Sequence, residues 1–184
     1  MLIAESLSPE SVVLCETAGS TIEVVKKLAA KLAGQLGQDR QTIEEAVIAR
    51  ERARTTAFTN GAAIPHCRLA ELHRFGIAMM ILKKPVRWDN QGHAVDIVMM
   101  IAGPSQHIPE QLRILANSGQ VLDSPAVRTK LKRAPDAKAV CELMAAAEKA
   151  VEARRARDGV LRELRRDQAD SADYLAEVAD TFQW

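Results

Sequence analysis

Two nearly continuous apolar runs stand out in the middle of the chain. FGIAMMIL (75–82) and VDIVMMIA (95–102) each have the length of a β-strand. An apolar run without polar alternation is typical of a strand that is covered on both faces. A shorter β-branched run, SVVLCE (11–16), predicts a first strand. We also expect a strand over 55–64, with a turn at Asn60-Gly61, and a short strand or edge segment over 85–88.

Apolar residues spaced three and four apart predict helices between and after these strands. The first helix is expected from Ser20, which has the spacing of a capping box with Glu23, to Gly37. The second predicted helix starts at Asp39 or Thr42 and ends near Arg52. Further helices are expected at 109–121 and 124–132 and from 135 onward. This order of elements predicts an α/β fold: a mixed (parallel/antiparallel) sheet of about five strands flanked by helices on both faces.

The composition changes from about Glu148 onward. Residues 148–166 are rich in arginine, whereas residues 167–180 contain acids but no lysine or arginine. Sparse apolar positions in this stretch predict one or two solvent-facing helices. We therefore expect one domain over 1–147 and a helical C-terminal extension over 148–184. The extension is either a partly frayed tail or a docking or dimerising helix whose oppositely charged halves pair antiparallel.

Charge and composition exclude several classes of function. The net charge is +1 and the pI is near 7.8, so the chain shows no overall basic character for nucleic acid. Aromatic residues make up 3% of the chain, too few for a base-stacking surface. No apolar run is long enough to insert in a membrane, the start lacks a signal-peptide pattern, and the three cysteines are scattered. We expect a cytoplasmic protein.

Candidate chemistry is concentrated in the segment RERARTTAFTNGAAIPHCR, residues 50–68. Pro65 has a fixed φ and favours an extended Ile64, so the backbone that leads to His66 is stiff. A neutral imidazole is a good nucleophile toward phosphorus at neutral pH. Flanking arginines, Arg50 and Arg68 among them, favour an anionic group near this histidine.

The same segment resembles the active-site motif of the enzyme IIA domains of the phosphoenolpyruvate-dependent sugar phosphotransferase system, of the fructose, mannitol and nitrogen-regulatory type (EIIA type 2). The family pattern runs RE, a spacer, ST, a Gly-rich piece, NGVAIPH, then a small residue before arginine. Here it reads, without a gap, Arg50-Glu51, Thr55-Thr56, NGAAIPH (60–66), Cys67 and Arg68. A looser resemblance extends over about 11–147.

The resemblance implies a phosphocarrier, the phosphotransferase component that forms a phosphohistidine intermediate. His66 would accept a phosphoryl group from an HPr-like donor and pass it to a IIB-type partner, or keep it as a regulatory mark. Arg50 would neutralise phosphate charge. The family places a second, phosphate-stabilising histidine after a buried strand, and His107 is the candidate here. The sequence His107-Ile108-Pro109 departs from the family by what looks like a small insertion.

The resemblance also assigns supporting roles on the phosphate to four further residues: Arg68, Thr56, Asn60 and Gly61. It implies no nucleotide, metal or other cofactor, although His66, Cys67 and His107 are zinc ligands by type alone. Ala57-Phe58-Thr59 stands where the family has its Gly-rich piece. Two other interpretations therefore stay open: a regulatory module gated by phosphorylation of His66, and a scaffold that has lost phosphotransfer.

Overall fold

The computed structural model describes the backbone of residues 2–181 and the side chains of residues 2–162. These residues form six helices and five strands. In chain order they are α1 (Leu2–Ser6), β1 (Leu7–Glu16), α2 (Thr21–Leu36), α3 (Arg40–Ala53), β2 (Ala62–Ala63), β3 (His66–Leu69), β4 (Gly76–Arg87), β5 (Ala94–Pro104), α4 (Ile108–Asp123), α5 (Pro125–Lys132) and α6 (Ala137–Thr181).

The five strands form one mixed sheet, as the sequence predicts. Its order is β1-β4-β5-β2, and β3 continues along β5 beyond β2. The β4–β5 pair is antiparallel, whereas β1 runs parallel to β4 and both β2 and β3 run parallel to β5. Strand β5 is therefore the element on which the segment containing His66 is mounted, with His66 opposite Ile101.

The two long central strands are buried on both faces, which explains their unbroken apolar runs. Ala78 and Met80 of β4 and Met100 of β5 belong to one core cluster with the apolar sides of α2 and α3. Their neighbours in sequence are equally buried and point to the opposite face by strand alternation. The buried residues of the remaining helices include Ile3, Ile114, Val121, Leu131, Val140 and Met144.

The first two long helices begin where their caps predict. The Ser20 hydroxyl accepts from the backbone N–H of Glu23 at 3.2 Å, and the Glu23 carboxylate reaches back to the N–H of Gly19 at 2.8 Å. Helix α3 is capped by Asp39, which accepts from the N–H of Thr42 at 2.7 Å. Short polar side chains satisfy the free N–H groups of a first helical turn in this way.

The strand predicted over 55–64 is wrong for most of its length. Only Ala62–Ala63 pairs with β5, with one isolated bridge between Ala57 and Ala63. The strand that carries the histidine is instead His66–Leu69, just after the predicted one. The short strand expected over 85–88 is the end of β4, which runs to Arg87.

The chain divides into two compact units, Met1–Glu148 and Lys149–Trp184. In the first unit the carboxylate of Glu148 is fully buried and accepts from the N–H groups of Ile3 and Ala4 and from the amide of Asn117. The second unit is helical through Thr181. None of the helices within residues 2–181 is both long and apolar enough to cross a bilayer.

Candidate functional site

The loop that leads to His66 is held against β5 by backbone hydrogen bonds. The carbonyl of Gly61 accepts from the N–H groups of Asp96 and Ile97, and the carbonyl of Pro65 accepts from the N–H of Ile101 at 3.0 Å. Gly61 has φ of 89°, a left-handed conformation that costs glycine little. The turn at Gly61 and the proline at 65 therefore fix the position of His66 beside Ile101 of β5.

The imidazole of His66 is oriented by its own backbone. Its Nδ1 lies 2.9 Å from the carbonyl oxygen of Ile64, two residues earlier. A carbonyl oxygen only accepts, so this contact requires the proton on Nδ1. The lone pair of the neutral ring is then on Nε2, which is the nitrogen left for a reaction or a ligand.

Beside the half-buried imidazole lies a pocket of about 340 Å³. Arg50 comes to it from α3 and Arg68 from β3, two residues after His66 and therefore on the same side of that strand. One face of α4 closes the opposite wall. Among the residues that the structure describes, the lining consists of Ala46, Arg50, His66, Cys67, Arg68, Ile108, Gln111, Leu112 and Leu115.

The electrostatics of the pocket keep the imidazole neutral. Desolvation lowers the pKa of His66 below its usual value, and the positive charges of Arg50 and Arg68 lower it further. The hydrogen bond to Ile64 and the charge of Glu51 oppose this shift without cancelling it. At neutral pH the ring is therefore an uncharged nucleophile beside two cations, an arrangement that suits an incoming anion.

Glu51 joins the end of α3 to the histidine loop. Its Oε1 accepts from the backbone N–H of Thr56 at 2.7 Å and from the indole N–H of Trp88 at 2.8 Å, and its Oε2 accepts from the Thr56 hydroxyl at 2.6 Å. The carbonyl of Thr56 then accepts from the N–H of Ile64 at 3.2 Å. Hydrogen bonds thus connect Glu51 through Thr56 to Ile64, the residue whose carbonyl orients His66.

The supporting residues expected from the resemblance divide into two groups. Arg68 lines the pocket, whereas Thr56, Asn60 and Gly61 are outside its lining and shape the loop. The side-chain oxygen of Asn60 accepts from the N–H of Ala62 at 3.1 Å, an Asx turn that sets the entry to β2. These three residues act on the backbone conformation around the histidine.

His107 is not brought to the pocket. It precedes the first turn of α4, its side chain is 54% exposed, and its Nδ1 lies 3.7 Å from Glu110. Gln111, one helical turn later, is the polar residue of α4 that lines the pocket with His66. The sequence interpretation missed it, although its spacing from Ile108, Leu112 and Leu115 places all four on one helical face.

Cys67 is a packing residue. It is 5% exposed and belongs to the core cluster under α2 and α3. Burial raises the pKa of its thiol to about 12, so the thiolate that could bind metal or attack a substrate does not form at neutral pH. The described part of the chain contains no group of three or more His, Cys, Asp or Glu side chains placed to hold a metal ion.

The fold and the histidine segment together match a IIA-type domain when the chain is compared with known proteins. Residues 5–147 match the family described as phosphoenolpyruvate-dependent sugar phosphotransferase system, EIIA 2. The chain belongs to this family.

Individual relatives place it near the nitrogen-regulatory members. A nitrogen regulatory protein of Pseudomonas aeruginosa is 33% identical over 144 residues, which cover 77% of this chain and 94% of that protein. The crystal structure of IIA-Ntr from Neisseria meningitidis shares the fold with a TM-score of 0.74 at 23% identity, covering 78% of this chain and 99% of the other. Enzyme IIA of the mannitol system of Escherichia coli, solved in complex with phosphorylated IIB, gives a TM-score of 0.65 at 19% identity, covering 77% and 98%.

Proposed function

We propose that this protein is a cytoplasmic phosphocarrier in which Nε2 of His66 accepts a phosphoryl group from the phosphohistidine of an HPr-like protein. One observation carries the proposal: the 2.9 Å contact between Nδ1 and the Ile64 carbonyl leaves the lone pair on Nε2, beside a pocket with two arginines. The family to which the chain belongs, named for phosphotransfer, supports the same role.

The transfer balances without a cofactor. The lone pair of Nε2 forms the new N–P bond while the donor's N–P bond breaks, and that bond's electron pair returns to the donor imidazole. Positive charge develops on the ring of His66, where the Ile64 carbonyl already accepts a hydrogen bond from Nδ1–H. Arg50 and Arg68 offset the negative charge of the phosphoryl oxygens, which is the main requirement of such a reaction.

Arg50 is held in place for this task. Its Nη1 donates to the carbonyl of Arg54 at 2.8 Å, across the end of its own helix. The guanidinium is therefore anchored at one nitrogen. It has four further N–H groups that could donate to phosphoryl oxygens. We propose Arg50 as the charge-neutralising residue and Arg68, which is exposed, as its partner on the solvent side.

Incubation with phosphoenolpyruvate, enzyme I and HPr tests the proposal. Intact mass should show one added phosphate on the wild type, labile to acid and stable to base, and none on His66→Gln. His73→Gln is the matched control, because His73 is exposed outside the pocket. Full phosphorylation of His66→Gln, or none of the wild type, would overturn the assignment.

A regulatory use of the same mark is the second candidate. Ile108 and Leu112 are 46% and 61% exposed at the edge of the pocket, so a partner that docks there would sense a phosphate on His66. The relative from Pseudomonas aeruginosa is named a regulatory protein. Phosphorylated protein should be mixed with a IIB domain: loss of its phosphate indicates a shuttle, and retention favours a regulatory target.

The C-terminal helix is proposed to carry a homodimer contact. Val160 and Leu161 are 56% and 46% exposed within the second unit, and the arginine-rich stretch precedes an acidic one. Antiparallel pairing of two copies would bring opposite charges together. Sedimentation equilibrium should give a dimer whose dissociation constant rises with salt, and a monomer at all concentrations would exclude the contact.

A further inference from the structure

Gln111 is a polar residue without a structural explanation. It belongs to the second turn of α4 and is 3% exposed, yet it lines the pocket beside His66. Its Oε1 is buried and has no hydrogen-bond partner. An unsatisfied polar atom in a protein interior costs about 1–3 kcal/mol, so most buried amides are paired.

The surroundings of Gln111 are otherwise apolar on its own helix. Ile108, Leu112 and Leu115 form the rest of the α4 wall of the pocket. An apolar residue at 111 would complete this wall without leaving a polar atom unsatisfied. The amide therefore has a cost in the resting protein. Phosphoryl oxygens do not pair with Oε1, but hydrogen bonds from the amide NH₂ to a ligand in the pocket would offset that cost.

The polar groups that face the pocket indicate which class of ligand it would bind. His66, Arg50 and Arg68 all favour an anion at Nε2. A phosphoryl group there adds three acceptor oxygens, and an amide NH₂ supplies two donors. Because no hydrogen bond holds Oε1, turning the NH₂ toward those oxygens would break no bond at that atom.

We propose that Gln111 is the second phosphate-binding residue of this site and donates a hydrogen bond to the phosphoryl group on His66. This inference rests on the proposed function of His66 and names a residue that the resemblance did not. The role that the resemblance gives to a second histidine is taken by a neutral amide, one turn beyond His107. An amide does not titrate, so Gln111 itself keeps one protonation state as the pH changes, whereas a histidine in this role would not.

The test uses the full chain and a donor that requires no docking. Potassium phosphoramidate phosphorylates histidine directly, and ³¹P NMR follows formation of the phosphohistidine. Gln111→Leu should slow its formation about tenfold, the factor that about 1.4 kcal/mol represents. Gln111→Glu, of the same size but anionic, should slow it more. His107→Gln is the control and should stay within about twofold of the wild type.

A pH series separates phosphate binding by Gln111 from a merely structural role. If Gln111 binds the phosphate, Gln111→His should come close to the wild-type rate measured at the same low pH, where imidazolium donates, and should fall behind the wild type as the pH rises. A merely structural role would give Gln111→His no such pH dependence. The Gln111→Leu defect should stay constant with pH. Thermal midpoints of all variants identify any that fail to fold. Wild-type rates in a folded Gln111→Leu protein, or a larger defect in His107→Gln, would overturn the proposal.

Failure of the proposed function has a separate signature. If His66 accepts no phosphate from phosphoramidate or HPr, the proposed function is wrong. Inorganic phosphate is then titrated while the side-chain ¹⁵N–H₂ resonances of Gln111 are observed. A saturable shift of these resonances supports phosphate binding by Gln111, and an unchanged signal overturns it.

Discussion

Glu51 should contribute strongly to both folding and the presentation of His66. Replacement by alanine removes three hydrogen bonds, one to the indole of Trp88 and two to Thr56. Trp88 is 4% exposed, so its N–H would be left in the protein interior. An unpaired buried donor costs about 1–3 kcal/mol. With the Thr56 N–H lost as well, we expect the free energy of unfolding to fall by about 2–4 kcal/mol.

Urea unfolding measures this loss directly. A Trp184→Phe background makes Trp88 the fluorescent reporter, and a loss of about 3 kcal/mol should also lower the thermal midpoint by roughly 6–12 °C. Glu45→Ala is the matched control: Glu45 is exposed on the same helix, where its carboxylate accepts a hydrogen bond from the side chain of Gln41. A Glu51→Ala protein within about 0.5 kcal/mol of its parent, the range of ordinary surface changes, would refute the reasoning.

Two further predictions follow from buried groups. Glu148→Leu should lower the free energy of unfolding by about 2–4 kcal/mol, because the N–H groups of Ile3 and Ala4 lose their acceptor. Urea unfolding beside the exposed control Glu142→Leu checks this, and a loss below about 1 kcal/mol contradicts it. Phosphoryl acceptance by His66 should fall as the pH drops through a pKa below 6.5, since protonation removes the Nε2 lone pair. The unfolded chain binds that proton first, so His66 also reduces stability below about pH 6.5. An NMR titration midpoint above 6.5 would contradict the lowered pKa and this loss of stability.

The parts of the fold that were predictable are those where burial decides the sequence. The runs 75–82 and 95–102 are covered on both faces, so almost every position must be apolar, and β4 and β5 lie there. Strand β1 begins at Leu7, earlier than predicted, and includes Pro9. It is an edge strand, where proline is tolerated, and edge position is not visible in a sequence.

The histidine loop was harder to predict because hydrogen bonds to distant residues decide its conformation. Thr55 and Thr56 favour a strand by propensity, yet their hydroxyls donate to Asp89 and Glu51. Desolvation alone would raise the pKa of Asp89, but the hydrogen bonds from Thr55 and His93 lower it to about 2. Such contacts, 34 residues apart in the case of Thr55 and Asp89, leave no local signal.

The candidate site shows the same division between motif and geometry. The NGAAIPH segment identified His66, and the neighbouring arginines identified Arg50 and Arg68, because motif and charge are properties of the sequence. Which polar residue of α4 reaches the pocket beside His66 depends on where the helix begins. The helix starts at Ile108, so His107 lies just outside its first turn and is exposed, whereas Gln111 shares a face with Ile108 and Leu115.

By residue type, His107 was the more obvious candidate for the second phosphate-binding residue, because it follows a buried strand closely. Its position on α4, however, places Gln111 and not His107 in the lining of the pocket. Residues three, four and seven positions after the first residue of a helix share its face, and this rule is readable from sequence once the helix start is known. Pro109, which is favoured in a first helical turn, marks that start. If Gln111 proves to hold the phosphate, helix phase will have been a better guide to this site than residue type. If His107→Gln shows the larger defect, α4 must begin differently when the phosphate is bound.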